Sequence, residues 1–447
     1  MKVNYNHMKN RIIYMGLVML ALLYACTPDE YEMVDLSFDS SKVKHIEMLA
    51  TNNVLHANGV NELEMKPEIY DIITREKKRM VITEVGDTIT EVYSETDTLL
   101  LKYDKISESD IKYYLEDGTE IDNYYSTTEV GDGSFDVYLE IGDIISEPFK
   151  INVRPEVDEY EKQVFPVIFH MIGSDLYPTP EVTSADMEKY LERLNRVYTK
   201  GLYNASNGGN PNVEFKLAEY DRYGRLLEKK GLHDIESSAT GSALKDVIVS
   251  HTWDIGKYLN VWVCAYNIGT DLPSTANYEE TEEEPYLAGL TIDEVVNDPS
   301  EVNTDNPYRV GIVIGSQSNV SMPGVSVSLD DFDWEAYFGR YLGLYETYFM
   351  TYEEVEDEEG NYIDNDYCDD TYAYTKSEYG TFYKVSYEGY KYTSENIMDS
   401  FKPSGTGVGN SKKSVVSVEQ TKRIRWVLEN CPSRWAYKSD FAFTGQN

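Results

Sequence analysis

Four positions between 336 and 346 have the spacing of a metal centre without its chemistry. Ala336 and Arg340 stand four apart, so on a helix they share one face. Gly343 lets the chain leave that helix and turn, which brings Glu346 back toward the same point. Tyr337 follows Ala336 directly. Zinc takes neutral imidazole, thiolate or carboxylate at about 2 Å. Ala336 has no donor atom, and Arg340 is permanently cationic. Tyr337, with a reference pKa of about 10, is a poor base near neutral pH. Glu346 alone could hold a cation, and one carboxylate does not hold catalytic zinc. Arg340 and Glu346 are instead expected within reach of each other, as an ion pair where a metal would sit.

These residues and the stretch Gly339-Arg340-Tyr341-Leu342-Gly343-Leu344-Tyr345 resemble the zinc-binding helix of metzincin metallopeptidases, H-E-x-x-H-x-x-G-x-x-H. With the pattern's glycine on Gly343, its three histidines fall on Ala336, Arg340 and Glu346, and its glutamate on Tyr337. Four further segments follow the family's order. Phe165-Pro166-Val167-Ile168-Phe169-His170 and Leu259-Asn260-Val261-Trp262-Val263 precede the helix. After it, Asp366 to Thr371 resembles a segment ending Asp-Thr-Pro, with Tyr372 in place of the proline. Asn396-Ile397-Met398-Asp399 resembles the methionine turn beneath the zinc site, and Gln420 to Leu428, with Arg425-Trp426, resembles the closing helix. From about 164 to 435 the chain is thus similar to the bacterial zinc-dependent metalloproteinase lipoproteins, which are pappalysin-like metzincins. The resemblance implies a metzincin-like α/β/α domain with a peptide-binding cleft. It also adds calcium as a possible cofactor, while the replaced ligands leave no zinc at the family position.

Local patterns supply the elements that must position these residues. Thr183 and Asp186 form a capping-box signal ahead of a helix over about 184 to 203, with Met187, Leu191, Leu194 and Tyr198 as its apolar stripe. Strands are expected at Val164 to His170, Val213 to Leu217, Leu259 to Ala265 and Arg309 to Ile314, and a short helix at 242 to 250. Ser417 and Gln420 suit an N-cap. Residues 164–447 therefore read as one α/β or α+β domain. Ahead of them, Phe135, Val137, Leu139 and Ile141 alternate with polar residues, as do Phe149, Ile151 and Val153. Turn residues at Asn58-Gly59, Gly86-Asp87, Asp117-Gly118 and Gly131-Asp132-Gly133 punctuate short strands. Residues 41–154 are expected to form a β-sandwich, and two stretches, 56–65 and 134–153, resemble bacterial immunoglobulin-like (Ig-like) domains, which act as spacers. Residues 155–163 are an acidic linker. The expected whole is a multidomain α+β protein.

The first 26 residues read as a targeting segment. Lys2, Lys9 and Arg11 precede a 14-residue apolar run from Ile12 to Ala25, too short to span a bilayer. Leu23-Tyr24-Ala25-Cys26 resembles a bacterial lipobox, which implies acylation of Cys26, a polar tether over 27–40 and a lipid anchor in the outer membrane. The formal charge of −39 and the pI of about 4.4 argue against nucleic acid as a partner and fit an exported, solvated protein.

Other metal-capable residues are sparse. Of six histidines, His170, His233 and His251 lie in the second domain, and none pair at helical spacing. His170 reads as a structural core histidine, and His233 and His251 as loop and helix-end surface residues. The acidic runs 279–284 and 353–366 read as solvated loops. They lack the D-x-D-x-D-G spacing of a calcium loop, so they supply no assigned ligands. Cys368 and Cys431 flank the methionine-turn region and are the candidate disulfide, with Cys264 left as a buried thiol.

Three functions compete. The first is a pseudopeptidase whose cleft binds a peptide or protein, or which serves as an accessory surface protein. The second is an active zinc-dependent metalloendopeptidase with an unusual site, which would bring carboxylates together with the three histidines. The third is a surface adhesin or glycan-binding lipoprotein presenting aromatic platforms.

Overall fold

The structure, a computed structural model, describes residues 43–82, 88–101, 110–155, 158–199, 204–264, 296–315, 329–349, 366–375, 383–393, 395–400 and 413–446. It is a mixed α/β fold, rich in strands and with few helices. The chain divides into two compact units. One holds residues up to 45 and 69–110, and the other holds 46–68 and 111–447.

In chain order the first strands are β1 (His45–Ala50), β2 (Val54–His56), β3 (Leu63–Ile82) and β4 (Thr88–Leu100). Within the first unit, β3 and β4 pair antiparallel from Tyr70↔Leu100 to Ile82↔Thr88. These strands are far longer than turn-punctuated short strands would be. Residues 74–82 carry little apolar alternation. Cross-strand charge supports them instead, with Arg75 opposite Glu95 and Lys77 ion-paired to Glu95.

The second unit begins with a six-stranded sheet whose longer strands are β2, β5 (Ile111–Leu115), β6 (Ser134–Ile141) and β7 (Phe149–Arg154), in the order β2-β7-β6-β5, with two-residue strands at Glu120–Ile121 and Ile144–Ile145. Its alternation is one-sided as expected from Val137 on, while Phe135 is only half-buried. Val137, Leu139, Ile141, Phe149, Ile151 and Val153 are buried, and the intervening residues are not. This sheet is joined directly to the rest of the unit. The His56 N–H donates to the Ser206 carbonyl at 3.0 Å, and Asn61 Nδ2 donates to the carbonyls of Ser206 and Gly208 at 3.1 and 2.9 Å. Arg154 pairs with Glu419.

A parallel sheet forms the centre of that unit: β8 (Gln163–Gly173), β9 (Val213–Leu217), β10 (Leu232–Glu236), β11 (Leu259–Cys264) and β12 (Gly311–Gly315). The eleven-residue β8 pairs along one edge first with β9 and then with β10, and along the other edge with β11, which pairs with β12. Every residue of β11 and β12 is buried, because a parallel sheet is covered on both faces. That explains the continuous apolar runs. The strand expected at Arg309 starts later, because Pro307 opens one helical turn through Val310.

Helix α1 (Ser184–Tyr198) has the anticipated capping box of Thr183 and Asp186, and Met187, Leu191, Leu194, Val197 and Tyr198 are buried on its inner stripe. Helices α2 (Gly241–Ser250), α3 (Trp334–Tyr341) and α4 (Val418–Asn430) complete the frame. Ser417 and Gln420 form a second capping box ahead of α4. One core joins Phe165, Val167 and Phe169 of β8 to Met187 and Leu194 of α1, Phe338 of α3 and Ile424 of α4. On the opposite face of the sheet, Ile172 and Trp262 pack against Leu244 and Ile248 of α2.

Candidate functional site

Helix α3 carries three of the four positions singled out from the sequence. Asp333 caps it, accepting from the Ala336 N–H at 3.3 Å, and Lys413, itself buried, pairs with Asp333. The helix ends after eight residues because Gly343, at φ 97°, takes a left-handed conformation. The Leu344 N–H then donates back to the Gly339 carbonyl, and the Gly343 N–H to the Arg340 carbonyl, each at 2.9 Å. Two buried arginines secure that end. Arg434 Nε donates to the Tyr341 carbonyl and Arg423 Nε to the Gly343 carbonyl, each at 2.6 Å, where a helix dipole favours a cation.

Beyond the turn, Glu346 comes back to Arg340, and their side chains form an ion pair. Both are about three-quarters buried, at 22 and 27 % exposure. Ala336 is buried in the main core, and Tyr337 is half-buried against it, its ring edge-on to Phe332. Met398 is fully buried directly beneath the helix, and a methyl group added at Gly339 would stand 2.6 Å from its sulfur. The Asn396 side chain accepts from the Met398 N–H at 2.8 Å, and Thr347 Oγ1 donates to Asp399 at 2.6 Å. The segment after Gly343 is thereby tied to the turn that carries Met398.

This donor set does not fit a zinc ion. One position is a methyl group, one a guanidinium, and the single carboxylate is engaged with that guanidinium. Among the described residues, no group of three or more His, Cys, Asp or Glu converges as metal ligands. Asp366, at the end of the acidic run, accepts from the Thr371 hydroxyl at 2.9 Å and from the Cys368 N–H at 3.2 Å. The runs 279–284 and 353–365, and Cys26, lie outside the described residues.

The expected Cys368–Cys431 disulfide is absent, for both are buried thiols. Helix α4 explains why. Cys431 is its C-cap residue, where burial lifts the thiol to about 11. Cys368 stands near the other end, two residues before Asp370, whose carboxylate accepts from Ser417 Oγ at 2.5 Å and from the Glu419 N–H at 2.9 Å. A 13-residue helix is roughly 20 Å long. A disulfide needs Cα atoms within about 7 Å.

Three of the four histidines of this unit, His170, His233 and His251, come together, which their sequence spacing did not signal. His233 lies on strand β10, not in a loop, and the parallel register sets it beside His170. Asn260 fixes the tautomers. Its amide nitrogen donates to the carbonyls of Trp253 and Tyr258, and its oxygen accepts from the Trp253 N–H at 2.9 Å. His170 Nε2 therefore donates to that oxygen at 2.9 Å, and its Nδ1 accepts from His233 Nδ1 at 2.8 Å. The ring of His251, which caps the C-terminus of α2, lies 6.1 Å from that of His233.

Burial holds His170 neutral, lowering its pKa to about 3, and the neighbouring His233, His251 and Arg222 act in the same direction. The unfolded chain takes up a proton below about pH 6.5 that the folded chain refuses. This contribution is complete above that pH and is lost as pH falls toward 3. Relative to a His170→Gln variant, the native protein is expected to lose about 1.4 kcal/mol of stability per pH unit between pH 6 and 4. Denaturant titrations at a series of pH values measure it, and parallel curves for the two proteins would refute it.

No family model matches this chain, and no curated protein matches it. Among solved structures it is similar to mature mirolysin of Tannerella forsythia in complex with a cleaved peptide. The match covers 65% of this chain and all of that one, at 19% identity and a TM-score of 0.39. Mirolysin in complex with compound 9 matches at 18% identity and a TM-score of 0.40, over 64% of this chain and all of that one. A promirolysin mutant of the same organism matches at 18% identity and 0.39, over 64% of this chain and 86% of that one. Likeness at this level assigns neither an activity nor any site residue.

Proposed function

We propose that the chain is a lipid-anchored cell-envelope protein whose second domain is a metzincin-like pseudopeptidase. It binds a peptide or protein, or acts as an accessory surface protein, without hydrolysing it. The observation that carries this reading is the Arg340–Glu346 ion pair. Two positions that would meet at one metal instead meet each other, and the turn at Gly343 that brings them together is kept. Without metal ligands there is no activated water, and without a carboxylate at 337 there is no base to take its proton. The calcium, outer-membrane and Ig-like spacer readings belong to the same proposal and rest on the sequence resemblance alone. No helix of the described residues is long and apolar enough to cross a membrane. The proposed attachment through acylated Cys26 rests on the resemblance of Leu23-Tyr24-Ala25-Cys26 to a lipobox.

The test is elemental analysis of the purified protein, dialysed first against trace zinc and then against a chelator, beside a peptide-library digestion. The expected result is a folded protein with no retained zinc and no cleavage. Near-stoichiometric retained zinc with cleavage would establish the rival, an active peptidase with an unusual site.

A further inference from the structure

We propose that His233 and His251 form a two-nitrogen site for a borderline divalent transition ion such as Ni²⁺, Cu²⁺ or Zn²⁺. The argument begins with what each ring has already committed. His233 spends its Nδ1–H on His170 Nδ1 at 2.8 Å. His251 donates its own Nδ1–H to the Val247 carbonyl at 2.8 Å, with Ser250 Oγ at 3.1 Å from the same nitrogen. Each neutral ring therefore carries its lone pair on Nε2. Fixing one ring nitrogen by a hydrogen bond, so that the other faces a metal, is how metal-binding histidines are held. Here the holding groups are rigid. Val247 belongs to α2, and His170 is itself locked by Asn260 on β11.

The spacing suits one ion. Two imidazoles sharing a metal at about 2.1 Å per nitrogen place their ring centroids roughly 4.5 Å apart at a right angle and about 6.4 Å apart in line, so the upper end of this span calls for a wide nitrogen–metal–nitrogen angle. The observed separation is 6.1 Å, with the ring planes at 42°. Both side chains are partly exposed, so water can complete the coordination sphere. His170 is fully buried with both nitrogens hydrogen-bonded, and it is a positioning residue for His233, not a ligand. Two imidazoles select ions of the Ni²⁺, Cu²⁺ and Zn²⁺ type over calcium and magnesium, which take oxygen. The pair lies on the sheet face opposite α3, so it is independent of the Arg340–Glu346 pair.

The test is calorimetric titration of the chelator-treated, tag-free full chain with Ni²⁺. One site is expected, weakened more than about tenfold in each of His233→Ala and His251→Ala and unchanged in His45→Ala. Absence of binding in the native chain, or equal binding in the two site variants, would overturn the proposal. Paramagnetic resonance of the native chain with one equivalent of Cu²⁺ reads the ligands without any variant. Coupling to two nitrogens supports the site, and coupling to one or none refutes it.

Discussion

A chain carrying Ala336→His, Arg340→His and Glu346→His together is expected to bind one zinc ion tightly enough to survive dialysis against a chelator, where the native chain is expected to retain none. The prediction rests on what surrounds the substituted positions. The turn that returns residue 346 to the helix depends on Gly343 at φ 97° and on the Leu344 hydrogen bond to Gly339, and none of these is altered. The floor of the site, Met398 against Gly339, also stays in place. That Arg340 and Glu346 already touch shows that side chains from these two positions reach a common point. Ala336 lies one helical turn before Arg340 on the same face. A three-histidine site with nanomolar affinity corresponds to about 12 kcal/mol of binding free energy, against essentially none for the native donor set at that point. Elemental analysis after chelator dialysis reads the result, with His233→Ala added so that no second site contributes. Retention of zinc near one equivalent would mean that the backbone still holds the geometry of a metal centre. No zinc in a folded variant would mean that residues 336, 340 and 346 do not converge, and the pseudopeptidase reading would fall with it.

Local signals in the sequence located the elements well. The two capping boxes, Thr183 with Asp186 and Ser417 with Gln420, both exist, because a cap is a contact among residues three apart. The apolar runs read as strands are β8, β11 and β12, which the fold buries on both faces of the sheet. Helix α1 stops at Tyr198, short of 203, because Thr199 closes it by bonding back to Asn195. What pattern could not supply was distance across the fold. Cys368 and Cys431 looked paired because both flank one segment, but a helix lies between their surroundings. The histidines looked scattered, yet strand register aligns His170 with His233 although 63 residues separate them. A histidine inside an apolar strand was a signal that a polar partner must be buried with it, and that signal did not name the partner.

The buried arginines were equally illegible, and they carry the second large effect. Replacing Arg423 with Leu is expected to destabilise the second unit by about 1 to 3 kcal/mol, the cost of leaving a buried carbonyl without its donor. Arg423 is fully buried on α4, where burial lowers its pKa and Cys368, Tyr345 and Asp366 are the groups that oppose this. Its Nε bonds the Gly343 carbonyl, and its guanidinium lies 4.9 Å from the Tyr345 ring centroid and 5.6 Å from that of Tyr367. Leucine fills much of the volume but leaves the Gly343 carbonyl without this donor at the point where the chain must turn. Lysine restores the charge without the planar fork, so Arg423→Lys should recover less than half of the loss. Urea unfolding of the three proteins decides the matter, and a midpoint for Arg423→Leu near that of the native chain would refute it. By contrast, Arg340→Ala removes a partly exposed pair and should cost only about 1 kcal/mol. The hierarchy is physical: the turn is held from behind by buried arginines, and the ion pair at its front occupies the position where the resemblance would place a metal.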